Sequence, residues 1–153
     1  MIIKVCGMCD PEIMLKLSTL EINMLGFIFY NQSARFVEGK IQPEELLFIN
    51  KNILKTGVFV NASESEILNT VEKWHLDSVQ LHSNESPDLC GKLKDKGLIV
   101  IKAFNLNIEN DFKGFITVCD YFLLIHLPYY MVDQGQNSTG IYLTIIMNHS
   151  LSF

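Results

Sequence analysis

After Leu124 this 153-residue sequence contains one charged side chain, Asp133, and no lysine, arginine or glutamate. That scarcity excludes a further amphipathic helix there, because such a helix needs a charged face toward water. Basic residues are in the minority throughout, 12 against 17 acidic, for a net charge of −5 and a pI near 5.3. Nucleic acid is therefore excluded as a bulk partner. The nearest approach to a long apolar run, positions 115–132, is interrupted by Asp120, His126 and Pro128. No membrane span, and no membrane partner, is expected from it. The start lacks a basic stretch leading into an apolar one, so the expected compartment is the cytoplasm. Four cysteines would stay reduced there. Cys6-Gly7-Met8-Cys9 is the only C-x-x-C; without a second pair a four-thiolate zinc site is excluded, and no metal is expected.

What is present is a regular alternation. Short, mostly continuous apolar runs predict strands at Ile2–Val5, Met24–Tyr30, Lys55–Val60, Ser78–Leu81, Ile99–Ala103 and Tyr121–Ile125. Such runs suit parallel strands buried on both faces. Proline is scarce, and three of the four stand at predicted helix starts: Pro11 after the cap Asp10, Pro43 ahead of Glu44 and Glu45, and Pro87 after Ser86. Ser63 and Glu66 are spaced as a capping box. Six βα units predict a parallel sheet, either doubly wound or closed as a barrel. Composition divides the chain into a domain at 1–124 and an atypical tail at 125–153, in which Ile141–Met147 is the one strand candidate. The tail reads either as an out-of-frame continuation or as part of a divergent six-unit variant. Such a barrel would leave its first and sixth strands as open edges, through which self-association is expected.

The predicted strands end in polar clusters. They read Lys4-Val5-Cys6-Gly7-Met8, then Gly26-Phe27-Ile28-Phe29-Tyr30 followed by Ser33-Ala34-Arg35, then Gly57-Val58-Phe59-Val60-Asn61, and Val79-Gln80-Leu81-His82 running on to Glu85. Ile101-Lys102-Ala103-Phe104 is a fifth. A strand that delivers a reactive side chain to its C-terminal end is how α/β enzymes build sites. In this order the clusters resemble the phosphoribosylanthranilate isomerase family over about residues 2–124. The resemblance implies an α/β fold of the (β/α)8 TIM-barrel type, here an incomplete barrel of about six βα units. It implies an Amadori rearrangement in tryptophan biosynthesis: N-(5-phosphoribosyl)anthranilate becomes 1-(2-carboxyphenylamino)-1-deoxyribulose 5-phosphate. The partner is thus a small phosphorylated sugar–anthranilate, and no cofactor is implied. Cys6 falls at the family's catalytic base and Arg35 at its anthranilate-carboxylate clamp. Gln80 and His82 are substrate-binding candidates, the alternative being that they satisfy backbone groups between loops.

Two features depart from the family. Its general acid is a sixth-strand aspartate; Ile125 stands at that place, so the acid is unassigned, with His126 one residue on and Asp133 further along. The glycine-rich turns that hold the phosphate are represented only by 134–140. These departures favour a second reading, a barrel fragment without catalysis. A third, from Cys6 and Cys9 alone, is a thioredoxin-like redox protein. Cys90 and Cys119 read as structural.

Overall fold

The computed structural model describes residues 2–105, 112–125 and 142–148. Strands β1 (Ile2–Cys6), β2 (Met24–Ile28), β3 (Leu54–Phe59), β4 (Ser78–Leu81), β5 (Ile99–Asn105) and β6 (Tyr121–Ile125) follow one another around a barrel. Each pairs in parallel with the next. This is the TIM-type α/β arrangement expected, with six parallel strands. Every residue of β2 and of β4 is buried, which is why those strands read as unbroken or nearly unbroken runs with no polar outer face.

Closure is the correction. A seventh strand, β7 (Tyr142–Asn148), lies antiparallel to both β1 and β6. The edges expected to stay open are therefore paired, by the segment that the apolar run 141–147 marked. Its pairing is unequal: five residues of β1 but only two of β6 are in register with it.

The helices begin where the caps placed them. In α1 (Pro11–Leu17) Asp10 Oδ1 accepts from the Glu12 and Ile13 amides at 2.9 and 3.1 Å. In α2 (Glu64–Trp74) Ser63 and Glu66 bond reciprocally, the Ser63 amide donating to Glu66 Oε2 at 2.8 Å. In α3 (Pro87–Asp95) Ser86 Oγ caps the Leu89 amide. The segment opened by Pro43 is a 3-10 helix, Pro43–Phe48, not an α-helix. Leu47 and Phe48 point to solvent there, so no apolar stripe exists to hold a longer helix on the barrel. Only a single 3-10 turn, Lys113–Phe115, is described between β5 and β6.

Paired residues in register share a face of the sheet, which separates two cores. Leu25, Phe27, Phe59, Val79, Leu81 and Val100 face outward and pack under Met14, Ile67, Trp74 and Leu93 of the helices. Met24, Ile101, Ala103 and Leu123 face inward and close the barrel interior, with Ile125 packed against them. Cys90 and Cys119 are buried in the outer core. Their side chains hydrogen-bond, and that bond together with burial holds the Cys119 thiol far above the ordinary range. Both are structural.

One device recurs at the start of every second strand. Asn23, Asp77 and Asp120 stand just before β2, β4 and β6. Their side-chain oxygens accept from the amides of Ile3, Lys55 and Val100 on the preceding strands, each at 2.8 Å. A short acceptor here satisfies an amide that the parallel ladder leaves over, and pins the strand stagger at the N-terminal rim. That rim of a barrel serves stability, and the opposite rim carries function.

Candidate functional site

The C-terminal ends of β1 to β4 bring the sequence-predicted residues together. Cys6 ends β1 and pairs in register with Gly26 of β2. A Cβ at Gly26 would lie 2.8 Å from Cys6 Sγ and 2.7 Å from Lys4 Nζ. Glycine is required here by space, since both side chains converge on the hydrogen it carries instead. Gly7 is required twice over. Its φ is +88°, and a Cβ on it would stand 2.9 Å from Arg35 Nη1. The Gly7 and Met8 amides both donate to Gly26 O at 2.9 Å, which folds the β1 turn across the end of β2. Arg35 is buried against that turn, and its amide donates to Ser33 Oγ at 3.1 Å. Thiol and guanidinium thus each stand against a glycine, Gly26 and Gly7, and the Gly7 amide bonds to Gly26 O.

From β3 and β4 come Thr56, Ser78 and Gln80 on the same interior face. The Thr56 and Ser78 hydroxyls bond to each other at 2.6 Å and are satisfied. Gln80 Oε1 is buried and accepts no hydrogen bond among the described residues. A buried amide oxygen left so is an acceptor waiting for a donor. His82 follows Leu81 and anchors its amide on Phe59 O at 3.0 Å. Burial lowers the pKa of its imidazole, and the Lys4 and Lys102 cations push it the same way. The ring is therefore neutral at pH 7, able to donate one hydrogen bond and accept another.

That shift has a consequence for stability. An unfolded chain protonates its histidine as pH falls through about 6.5, while the folded chain holds His82 neutral to lower pH. The stability that His82 confers is thus whole above about pH 6.5 and declines below it. Urea midpoints at pH 7.5 and 5.5 should diverge more for the native chain than for His82→Gln. Equal differences would contradict the assignment.

Two residues that support the site escaped the sequence reading as site residues. Lys102 alternates to the outer face of β5, where its ammonium meets Glu85 Oε2 at 3.1 Å, Ala103 O at 3.1 Å and Ser83 O. Glu85 in turn accepts from the Asn61 amide at 3.0 Å and the Ser83 amide at 2.8 Å. The pair is nearly solvent-free, at 3% and 2% side-chain exposure. It ties the turns after β3 and β4 to strand β5 and so fixes the backbone just after His82. Losing one partner of such a buried pair typically costs about 3–5 kcal/mol. The third omission is Lys4, wholly buried on the Cys6 face of β1. Its two-residue spacing from Cys6 was the available signal.

Ile125 also falls on the interior face, at the end of β6, within the apolar cluster. No proton donor is supplied from that position. His126, Asp133 and 134–140 lie outside the described residues. No group of three or more metal-ligating side chains occurs among the described residues. No described helix is long and apolar enough to cross a membrane. Cys6 ends β1 and Cys9 follows it, both free thiols, on a closed barrel of six successive parallel strands and one antiparallel strand, which is not a thioredoxin-like sheet.

The sequence model of a family described as N-(5'-phosphoribosyl)anthranilate (PRA) isomerase matches residues 3–146. Two relatives named N-(5'-phosphoribosyl)anthranilate isomerase come from Phocaeicola vulgatus and Parabacteroides distasonis. The first is 42% identical over 126 residues, 80% of this chain and 59% of its own length. The second is 41% identical over 128 residues, 80% of this chain and 58% of its own. This chain thus spans about three fifths of the length of the curated relatives it matches. A solved phosphoribosyl anthranilate isomerase from Thermotoga maritima superposes with a TM-score of 0.67 at 28% identity, covering 86% of this chain and 64% of that one. Another solved isomerase, in complex with reduced 1-(o-carboxyphenylamino)-1-deoxyribulose 5-phosphate, superposes at 0.64 and 28% identity, covering 82% and 65%.

Proposed function

Because the chain belongs to the N-(5'-phosphoribosyl)anthranilate isomerase family, we propose that its barrel mouth binds phosphoribosylanthranilate and isomerises it, slowly, with Cys6 as the base. The observation that carries this reading is that the Cys6 thiol at Gly26 and the Arg35 guanidinium at Gly7 sit at the end of the same strand pair, with Gln80 on the interior face of β4 and His82 just after it.

The rearrangement has three proton movements. An acid protonates the ribose ring oxygen as its bond to C1 breaks, and the anilino nitrogen's lone pair forms C1=N. A base then takes the proton from C2. The C–H pair becomes C1=C2, and the C=N pair returns to nitrogen. Finally the enol tautomerises to the ketone, a proton leaving the C2 oxygen and another arriving at C1. Cys6 suits the second movement, since a thiolate is a base usable near neutral pH. Arg35 suits the anthranilate carboxylate, which a planar guanidinium grips with two parallel bonds. Gln80 Oε1 and the neutral His82 suit the sugar hydroxyls as acceptor and donor.

The first movement is where this chain is poor. Ile125 contributes no proton, so, among the described residues, no strand-end acid opens the ring at that position, and the rate should be low. That apolar residue is also what favours the second reading, a binding barrel with no turnover.

Titration calorimetry with the reduced product analogue tests the binding half. The native chain should bind it, and Arg35→Met should weaken binding by about 10- to 150-fold, the worth of a hydrogen bond to a charged group at about 1.5–3 kcal/mol. No binding, or equal affinities, would contradict the assignment.

A further inference from the structure

Lys4 is the one interior cation to which the proposed function gives no task. It is 0% exposed, although lysine is almost never fully buried unless paired. No carboxylate among the described residues forms an ion pair with it. Other buried polar groups of the barrel are already committed. Thr56 and Ser78 bond to one another, and Glu85 is held by Lys102 on the outer face. His82 is held neutral chiefly by burial, with the Lys4 charge acting in the same direction, so it is no counter-ion. Arg35, over Gly7, is a second cation and not a partner. What shares its place is the Cys6 sulfur: the ammonium lies 2.7 Å and the sulfur 2.8 Å from the point where a Gly26 Cβ would stand, on the same face of β1.

A buried ammonium without an anion is costly, and the cost is relieved when a counter-charge forms beside it. A thiol next to a lysine is the group best able to supply that charge, by releasing its proton to solvent. We propose that Lys4 is the positioning residue of the Cys6 base: its ammonium is the counter-ion of the Cys6 thiolate, so the base stands ionised at neutral pH before substrate arrives. This rests on Cys6 being the base. When Cys6 takes the C2 proton it becomes a neutral thiol, and the pair is restored once that proton leaves. Gly26 is the third member by absence, because any side chain there would part the two charges. The cation has a second effect. The thiolate is generated in a site that also carries the Arg35 charge, so two cations stand against one anion and an anionic ligand meets a net positive site.

The experiment reads ionisation and not turnover, so it fails or stands separately from the isomerase reading. The native 153-residue chain is alkylated with iodoacetamide at pH 7 and pH 9, and each cysteine is followed by mass spectrometry. Cys6 and Cys9 are both partly exposed, while Cys90 and Cys119 are buried, so Cys9 is the internal reference. An ordinary thiol reacts about 20-fold more slowly at pH 7 than at pH 9. Cys6 should slow by less than threefold. In Lys4→Met it should recover the full slowing, and in Lys4→Arg it should stay fast. Lys4→Gln gives the same readout should Lys4→Met lose its native circular dichroism. A 20-fold slowing of Cys6 in the native chain overturns the proposal by itself. So does an unchanged Cys6 profile in a folded Lys4→Met or Lys4→Gln chain.

Discussion

Ile125→Asp is expected to raise the isomerisation rate by about 10²- to 10⁴-fold, the usual worth of a positioned general acid or base. The position is the right one by register. Ile125 is the last residue of β6, level with Asn105 of β5, and it packs with the inward-facing cluster. A carboxyl group there would point across the barrel mouth toward the face that carries Cys6. It would be half-buried among Leu123, Ala103 and Ile101. Such surroundings disfavour the charged form and lift a carboxyl toward neutrality, as an acid at neutral pH requires. The replaced side chain is only partly buried, so the stability lost should stay within the ordinary 0.5–3 kcal/mol of a point substitution. Steady-state turnover and a urea midpoint on the same preparation separate the two effects. A folded Ile125→Asp chain with an unchanged rate would mean that ring opening does not limit this chain, or that another group supplies the proton.

Cys6→Ala should act in the opposite direction by a similar factor, about 10²- to 10⁴-fold. Alanine removes the only titrating atom on the inner face of β1 apart from Lys4, while leaving the strand's pairing to β2 and β7 intact. It also fits the space beside Gly26, so the fold should survive. The substrate would still find Arg35 and Gln80, and binding of the reduced product analogue should change far less than turnover. That split, turnover lost and binding kept, is the signature of a group used in the transition state and not in the ground state.

Much of this was legible in the chain itself. The spans of β4 and β6 were read to the residue, because a buried parallel strand is a bounded apolar run and both ends carry turn or cap residues. Ser63–Glu66 and Asp10–Pro11 announced helices by chemistry that operates within four residues, and such local signals survive folding unchanged. The five strand-end clusters carried the family. What stayed hidden depends on contacts distant in sequence. The run at 141–147 showed a strand but not its direction, since a single apolar strand carries no mark of whether its partner runs with or against it. The pairing of Lys102 with Glu85 spans 17 positions and lies on the face opposite the site. Lys4 was visible only as a letter of a motif. Its burial depends on the barrel closing around it, and a lysine in a strand reads by default as an outward one. The clips at Asn23, Asp77 and Asp120 looked like ordinary turn residues, because their acceptors serve the preceding strand and not their own turn.

The most direct measurement is the isomerisation of freshly prepared phosphoribosylanthranilate by the native 153-residue chain, followed as substrate loss under enzyme excess, beside the Cys6→Ala chain at the same concentration. The account predicts a slow first-order rate for the native chain that clearly exceeds both Cys6→Ala and the spontaneous reaction. Equal rates for native and Cys6→Ala chains, with both folded and both binding the reduced product analogue, would contradict it and leave a barrel that binds without catalysing.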